Sequence, residues 1–141
     1  MDANQLIFPM FVMVLLTFSV VGRLFFARRK SVAEGKVNPE YFKVYQGGGE
    51  PEASAKLARH FANLFEAPVL FYAACIAGIT LHMAGALFLA LAWMYVVLRV
   101  IHTAIHTGAN KLYPRITAYF SSWLVLLVMW VLLAMRAAGW V

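Results

Sequence analysis

Apolar positions in this chain gather into four long runs instead of alternating with polar ones. The runs cover residues 6–27, 57–81, 84–106 and 116–135. Each holds roughly 20 residues or more, which at about 1.5 Å rise per residue crosses a hydrocarbon core of about 30 Å. A core helix of a soluble protein would carry a polar face at a spacing of about 3.6 residues. The first and fourth runs carry almost none, so they are expected to face lipid. The pattern predicts an all-α integral membrane fold in one domain over 1–141, an up-down bundle of four transmembrane helices.

The connections sharpen that expectation. Only the first, from Arg28 to roughly Ala55, is long; it contains Asn38-Pro39-Glu40 and the run Gly47-Gly48-Gly49-Glu50-Pro51. That composition predicts an ordered turn followed by a flexible hinge, not a further domain. The second is a tight turn near Thr80 to Gly85. The third runs from Thr107 to Pro114, with Pro114 placed to open the fourth helix. Short connections make neighbouring helices antiparallel. No internal repeat is visible, which argues against a duplicated transporter.

Composition agrees: 141 residues, 63% hydrophobic and only 13% charged, with a mean hydropathy of +0.76. A net charge of +6 could suggest nucleic acid, but the placement of the charges argues against such a partner. Arg28, Arg29, Lys30, Lys36, Lys43 and Lys56 lie in or beside the first connection, and Lys111 and Arg115 in or at the end of the third. The positive-inside rule then puts both connections in the cytoplasm and both termini outside. The polar start Met1-Asp2-Ala3-Asn4-Gln5 lacks the basic region of a cleaved leader, and the first run is too long for one. The single cysteine, Cys75, lies inside the second run, so no intrachain disulfide is expected.

Ionisable side chains inside such runs cost roughly 2.5–3.5 kcal/mol each on insertion scales and therefore default to functional candidates. The second run carries Arg59, Asn63 and Glu66, whose i, i+4, i+7 spacing predicts one helical face. The third carries Arg99, His102 and His106 on one face. Arg115 opens the fourth, followed by Tyr119 and Ser122, and Arg23 lies near the end of the first. With the topology above, all the arginines and histidines of this set fall in the same half of the membrane. Structural roles compete: Arg23, Arg59 and Arg115 could snorkel to headgroups, Glu66 could pair with Arg59 or Arg99, and Asn63 could hold helices together. The excess of cations over the single acid, Glu66, favours a cavity that awaits an anion, and arginine holds carboxylates bidentately.

The run Lys56-Leu57-Ala58-Arg59-His60-Phe61-Ala62-Asn63-Leu64-Phe65-Glu66 resembles the second-helix signature of the MAPEG superfamily, the membrane-associated proteins of eicosanoid and glutathione metabolism. Val37-Asn38-Pro39-Glu40 is similar to the Asn-Pro-Glu of that family's first loop. Arg99-Val100-Ile101-His102, followed by Lys111, Arg115 and Tyr119, looks like the third-to-fourth-helix stretch of microsomal prostaglandin E synthases. The resemblance implies a homotrimer that holds glutathione as cosubstrate between subunits, open to the cytosol. Arg59, Asn63, Glu66, Arg99, His102, Tyr119 and Arg23 would then bind glutathione, and Arg115 would stand beside its thiol as the catalytic residue. A free thiol has a pKa near 8.5, which a fixed cation and a helix N-terminus lower. The thiolate would attack a lipophilic electrophile or reduce a peroxide. This sequence departs from the family pattern at His106, where many relatives have tyrosine, at Ser54-Ala55 in place of Phe-Glu, and at Ala67.

The first expectation is therefore a membrane-bound glutathione transferase or peroxidase, with membrane lipid and a lipophilic small molecule as further partners. The minimal loops lean towards a bacterial inner membrane. The alternative is a non-catalytic membrane protein that binds a lipid or another anion in the same cationic pocket. A third is a haem protein: His102 and His106 share one face and cannot both ligate one haem axially, so His60 from another helix would be required. No other metal site is expected from the spacing. A small multidrug exporter is also four-helical, but such a pump usually needs an acid in its path, and the first run has none.

Overall fold

A computed structural model describes residues 2–45, 49–83 and 85–140. A 3-10 turn, Ala3–Leu6, leads into α1 (Ile7–Ala33), followed by α2 (Tyr41–Val44), α3 (Glu52–Asn63), α4 (Ala67–Thr80), α5 (Ala86–Thr107) and α6 (Leu112–Ala137). Among the described residues there is no strand. Four spans are long and apolar enough to cross a membrane: Ala3–Ala33, Glu52–Thr80, Ala86–Thr107 and Leu112–Ala137. All four overlap the runs read from the sequence. The first, second and fourth extend further at their polar ends, where basic side chains prolong the helices past the apolar run.

The second span differs from expectation: it is two helices, not one. A helix running through would need the N–H of residue 68 to bond the Leu64 carbonyl, and Pro68 has none. The chain leaves α3 through tight i to i−3 bonds, Leu64 N–H to Phe61 O at 3.1 Å and Phe65 N–H to Ala62 O at 2.9 Å. Glu66 stands outside helical geometry at φ −96°, ψ −99°, and α4 restarts with Pro68 in its first turn. The expected continuous stripe of Arg59, Asn63 and Glu66 is thereby interrupted before Glu66. The fourth helix also starts earlier than expected, at Leu112, so Arg115 lies within its first turn and not ahead of it.

Packing follows the apolar pattern. α5 lies most closely against α6, α3 against α1, and α4 leans on α6 and on the N-terminal turn. The core joins Leu6 and Met13 to Phe71, Cys75, Phe88, Tyr95 and Met129. Phe71 and Tyr95 stack with centroids 4.4 Å apart, tying α4 to α5. Gly78 lets them approach: a Cβ there would meet Phe88 Cε1 at 2.7 Å and Leu6 Cδ1 at 3.0 Å.

The first connection folds back on α1. Arg28 holds Glu50 through Nε at 2.7 Å and Nη2 at 3.3 Å, with its guanidinium carbon 4.9 Å from the Phe42 ring centroid. The Asn38 side chain accepts the Glu40 N–H at 2.9 Å and opens the single turn of α2, which is the ordered turn expected there. Before it, a hydrogen bond from the Lys36 ammonium lowers the Glu34 carboxyl below the usual carboxylate range. Residues 46–48, which include Gly47 and Gly48 of the expected hinge, lie outside the described residues, as does Ala84, where the third run was expected to start. The third connection closes with Asn110 in left-handed geometry at φ 51°, a conformation asparagine tolerates.

Candidate functional site

The site is built on the inward face of α5. Tyr95, Arg99, Thr103 and His106 recur at spacings of four, four and three, which keeps them on one side of the helix, and His102 lies beside them. All five are buried. Arg99 has no exposed surface at all. Its Nη2 donates to the main-chain carbonyl of Asn63 at 3.2 Å, so it satisfies an acceptor at the end of α3 beside the break. Its guanidinium carbon lies 5.9 Å from the Tyr119 ring centroid. Among the described residues, Nε and Nη1 of Arg99 have no hydrogen-bond partner. A buried cation with donors to spare is strongly disfavoured unless an anion or another acceptor meets it.

Hydrogen bonds tie the neighbouring helices to α5 at this level. The Thr103 hydroxyl donates to the Arg99 carbonyl at 2.8 Å and lies 2.9 Å from His60 Nε2 on α3. His102 Nδ1 bonds the Arg115 carbonyl on α6 at 3.1 Å. Arg115 Nη1 in turn donates to Asn110 Oδ1 at 2.6 Å, which anchors the guanidinium over the third connection. Tyr119 reaches Glu66 Oε2 at 3.5 Å, a long contact. None of the ion pairs among the described residues includes Glu66, Arg59, Arg99 or Arg115.

Two cavities flank this layer. The smaller, about 280 Å³, is lined by Asn63, His102, His106, Arg115 and Tyr119, with Ile116 and Phe120 as its apolar side. The larger, about 840 Å³, lies between α1, the first connection and α3, and Arg28, Tyr41, Tyr45, Glu50 and Arg59 supply its polar side chains. The structure therefore gathers Asn63, His102, Arg115 and Tyr119 around one space, with Arg99 directly behind Asn63 and Tyr119. Glu66 stands at its edge through Tyr119. Arg59 and Arg23 are placed elsewhere: Arg59 is exposed towards the larger cavity, and Arg23 donates to Thr107 Oγ1 at 3.0 Å.

Helical register explains the separation of Arg59 from the rest. The buried face of α3 is Ser54, Leu57 and His60, which turns Arg59 outwards and His60 in. Thr103 and Asn110 were not expected at the site. Thr103 was legible as the polar residue one turn after Arg99; Asn110, in a loop, carried no such signal.

The sequence profile of the MAPEG family matches residues 6–135, nearly the whole chain. The chain belongs to the MAPEG family. It is accordingly an integral membrane protein, and the match covers all the residues just described. The MAPEG family is broadly associated with glutathione, and its members generally act as oligomers. No curated protein and no solved structure matches the chain.

Proposed function

We propose that this protein is a glutathione-dependent transferase or peroxidase acting on lipophilic electrophiles. The observation that carries the reading is Arg99: fully buried, bonded to one carbonyl, and left with two donor nitrogens that call for an anion. Glutathione brings carboxylates and an ionisable thiol, and MAPEG membership favours it over other small anions. Asn63, Glu66, His102 and Tyr119 would orient its backbone and charged ends around the smaller cavity, with Arg99 neutralising a carboxylate. Arg59 and Arg23, which do not line that cavity, would act at a boundary with a neighbouring copy in a homotrimer.

Arg115 takes the chemical role. Its guanidinium lies in the first turn of α6, where cation and helix terminus both favour negative charge, and Asn110 holds it still. Both effects stabilise a thiolate over a thiol near neutral pH. The thiolate sulfur then bonds the electrophilic carbon while the leaving group departs with its electron pair. With a peroxide, the sulfur takes the terminal oxygen as the O–O bond breaks, and a second thiol completes the disulfide. A lipophilic substrate reaches such a site from the bilayer. The basic end of the bundle would face the cytoplasm of a bacterial inner membrane, in keeping with the charge rule.

The test is glutathione binding to detergent-purified protein, followed by the ultraviolet absorbance of the thiolate. Saturable binding with thiolate present near neutral pH is expected. No binding at millimolar glutathione would overturn the reading. A second reading, a non-catalytic pocket for a lipid headgroup or another anion, is favoured by the cavity wall itself, which offers His106 where many relatives place a phenol.

A further inference from the structure

Three histidines from two helices come together beside the cavity. His60 on α3 and His102 and His106 on α5 are 0%, 2% and 6% exposed. Their ring centroids are 4.9 Å apart for His60–His106 and 5.5 Å for each of the other pairs. One ring nitrogen from each lies within 4.8 Å of one from each of the others. Among the described residues, His60 Nδ1, His102 Nε2 and His106 Nδ1 have no hydrogen-bond partner.

The hydrogen bonds around them decide which nitrogens carry lone pairs. The Arg115 carbonyl can only accept, so His102 Nδ1 is the protonated nitrogen and Nε2 is bare. The Thr103 hydroxyl spends its proton on the Arg99 carbonyl, so it accepts from His60 Nε2. His60 Nδ1 is then bare as well. Two buried lone pairs without a donor, with a third imidazole nitrogen unpartnered beside them, are costly to leave unmet. In metal sites, an imidazole ligand commonly bonds a carbonyl or similar group through its other nitrogen, which fixes tautomer and ring direction. His102 and His60 already make such bonds.

We propose that His60, His102 and His106 form a binding site for a first-row divalent cation of the zinc class. Imidazole suits zinc, copper and nickel, and three histidines with one open position make a known zinc arrangement. Zn–N bonds of about 2.0–2.1 Å put tetrahedral ligands about 3.3 Å apart, so nitrogens within 4.8 Å of one another would close by up to about 1.5 Å on binding. The fourth position would be filled from the cavity that His102 and His106 line. Arg99 and Arg115 raise the local positive potential, which opposes a divalent cation unless that fourth ligand is an anion such as hydroxide or a thiolate. Haem fits poorly: axial imidazoles face each other across a macrocycle, whereas these three rings are mutually close and tilted by 34–57°.

The proposal does not depend on glutathione, and its test is run without it; a His102 with Nδ1 on the Arg115 carbonyl and Nε2 on the metal would meet glutathione only through that metal. Detergent-purified protein, stripped with chelator, is titrated with Co²⁺ and read by its visible absorption, then back-titrated with Zn²⁺. One equivalent of Co²⁺ per chain is expected to give intense tetrahedral bands that Zn²⁺ abolishes. H60A and H106A should each weaken binding at least about tenfold, and T103V, which removes the support of His60, by about 10–100-fold. H82A should bind as the native chain does, because His82 lies in the turn between α4 and α5, outside the cluster. Circular dichroism and gel filtration identify any variant that fails to fold, and T103V keeps all three ligands should H60A do so. Absence of the bands in native protein, or binding that survives H106A unchanged, overturns the proposal.

Discussion

Arg99 and Asn63 are joined across the interruption in the second span, the guanidinium Nη2 donating to the main-chain carbonyl at 3.2 Å. Backbone polar groups freed at membrane depth must find partners within the protein, since lipid offers none. Arg99 therefore does two things at once: it closes the end of α3 and places a fixed positive charge behind the smaller cavity. R99L should abolish glutathione binding and lower thermal stability, because the Asn63 carbonyl loses its charged donor and keeps only the longer bond from the Glu66 N–H at 3.4 Å. R99K keeps the charge but not the fork. A hydrogen bond to a charged group is worth about 1.5–3 kcal/mol, so its dissociation constant for glutathione should rise about 10–100-fold by titration calorimetry.

The role proposed for Arg115 is on the thiol, not on the fold. R115L should leave the oligomer intact on gel filtration while the thiolate absorbance of bound glutathione is lost at neutral pH. The sign follows from charge: a cation stabilises the thiolate and lowers the thiol pKa, so its removal moves the titration upward. A shift of one pH unit corresponds to about 1.36 kcal/mol of lost stabilisation. Turnover that survives R115L would sink the role assigned to this residue.

Glu66 discriminates between binding and packing. Its side chain is exposed on the single chain and, among the described residues, accepts only a long bond from Tyr119. E66Q should weaken glutathione binding with the oligomer unchanged. Loosening of the oligomer with binding preserved would instead make Glu66 a contact between copies.

Gly78 tests the core. A Cβ there would sit 2.7 Å from Phe88 and 3.0 Å from Leu6, so G78L must push apart α4, α5 and the N-terminal turn. Overpacking of this kind costs about 1–3 kcal/mol. The melting temperature in detergent should fall, whereas L87A, at an exposed position of α5, should change it little.

The four spans were legible because apolar length is a strong signal and because charges fall almost entirely between the runs or at one end of them. The gathering of Arg99, His102 and Arg115 at one end of the runs was legible for the same reason, and a hydrogen bond joins His102 to the Arg115 carbonyl. The break after Asn63 was not read, although Pro68 marks it, because Leu64 and Phe65 continue the apolar run. Missing the break made Arg59, Asn63 and Glu66 look like one stripe. His60 was legible only as a partner a haem would require; that it turns inwards follows from its register with Leu57, a relation that matters once the buried face of α3 is known.

The interruption also has a mechanical meaning. It leaves α3 as a separate rod that ends at the break and carries Arg59, His60 and Asn63 within about one turn of each other. Those three side chains belong to the larger cavity, the histidine cluster and the smaller cavity. Any displacement of this one rod would therefore reach all three spaces together.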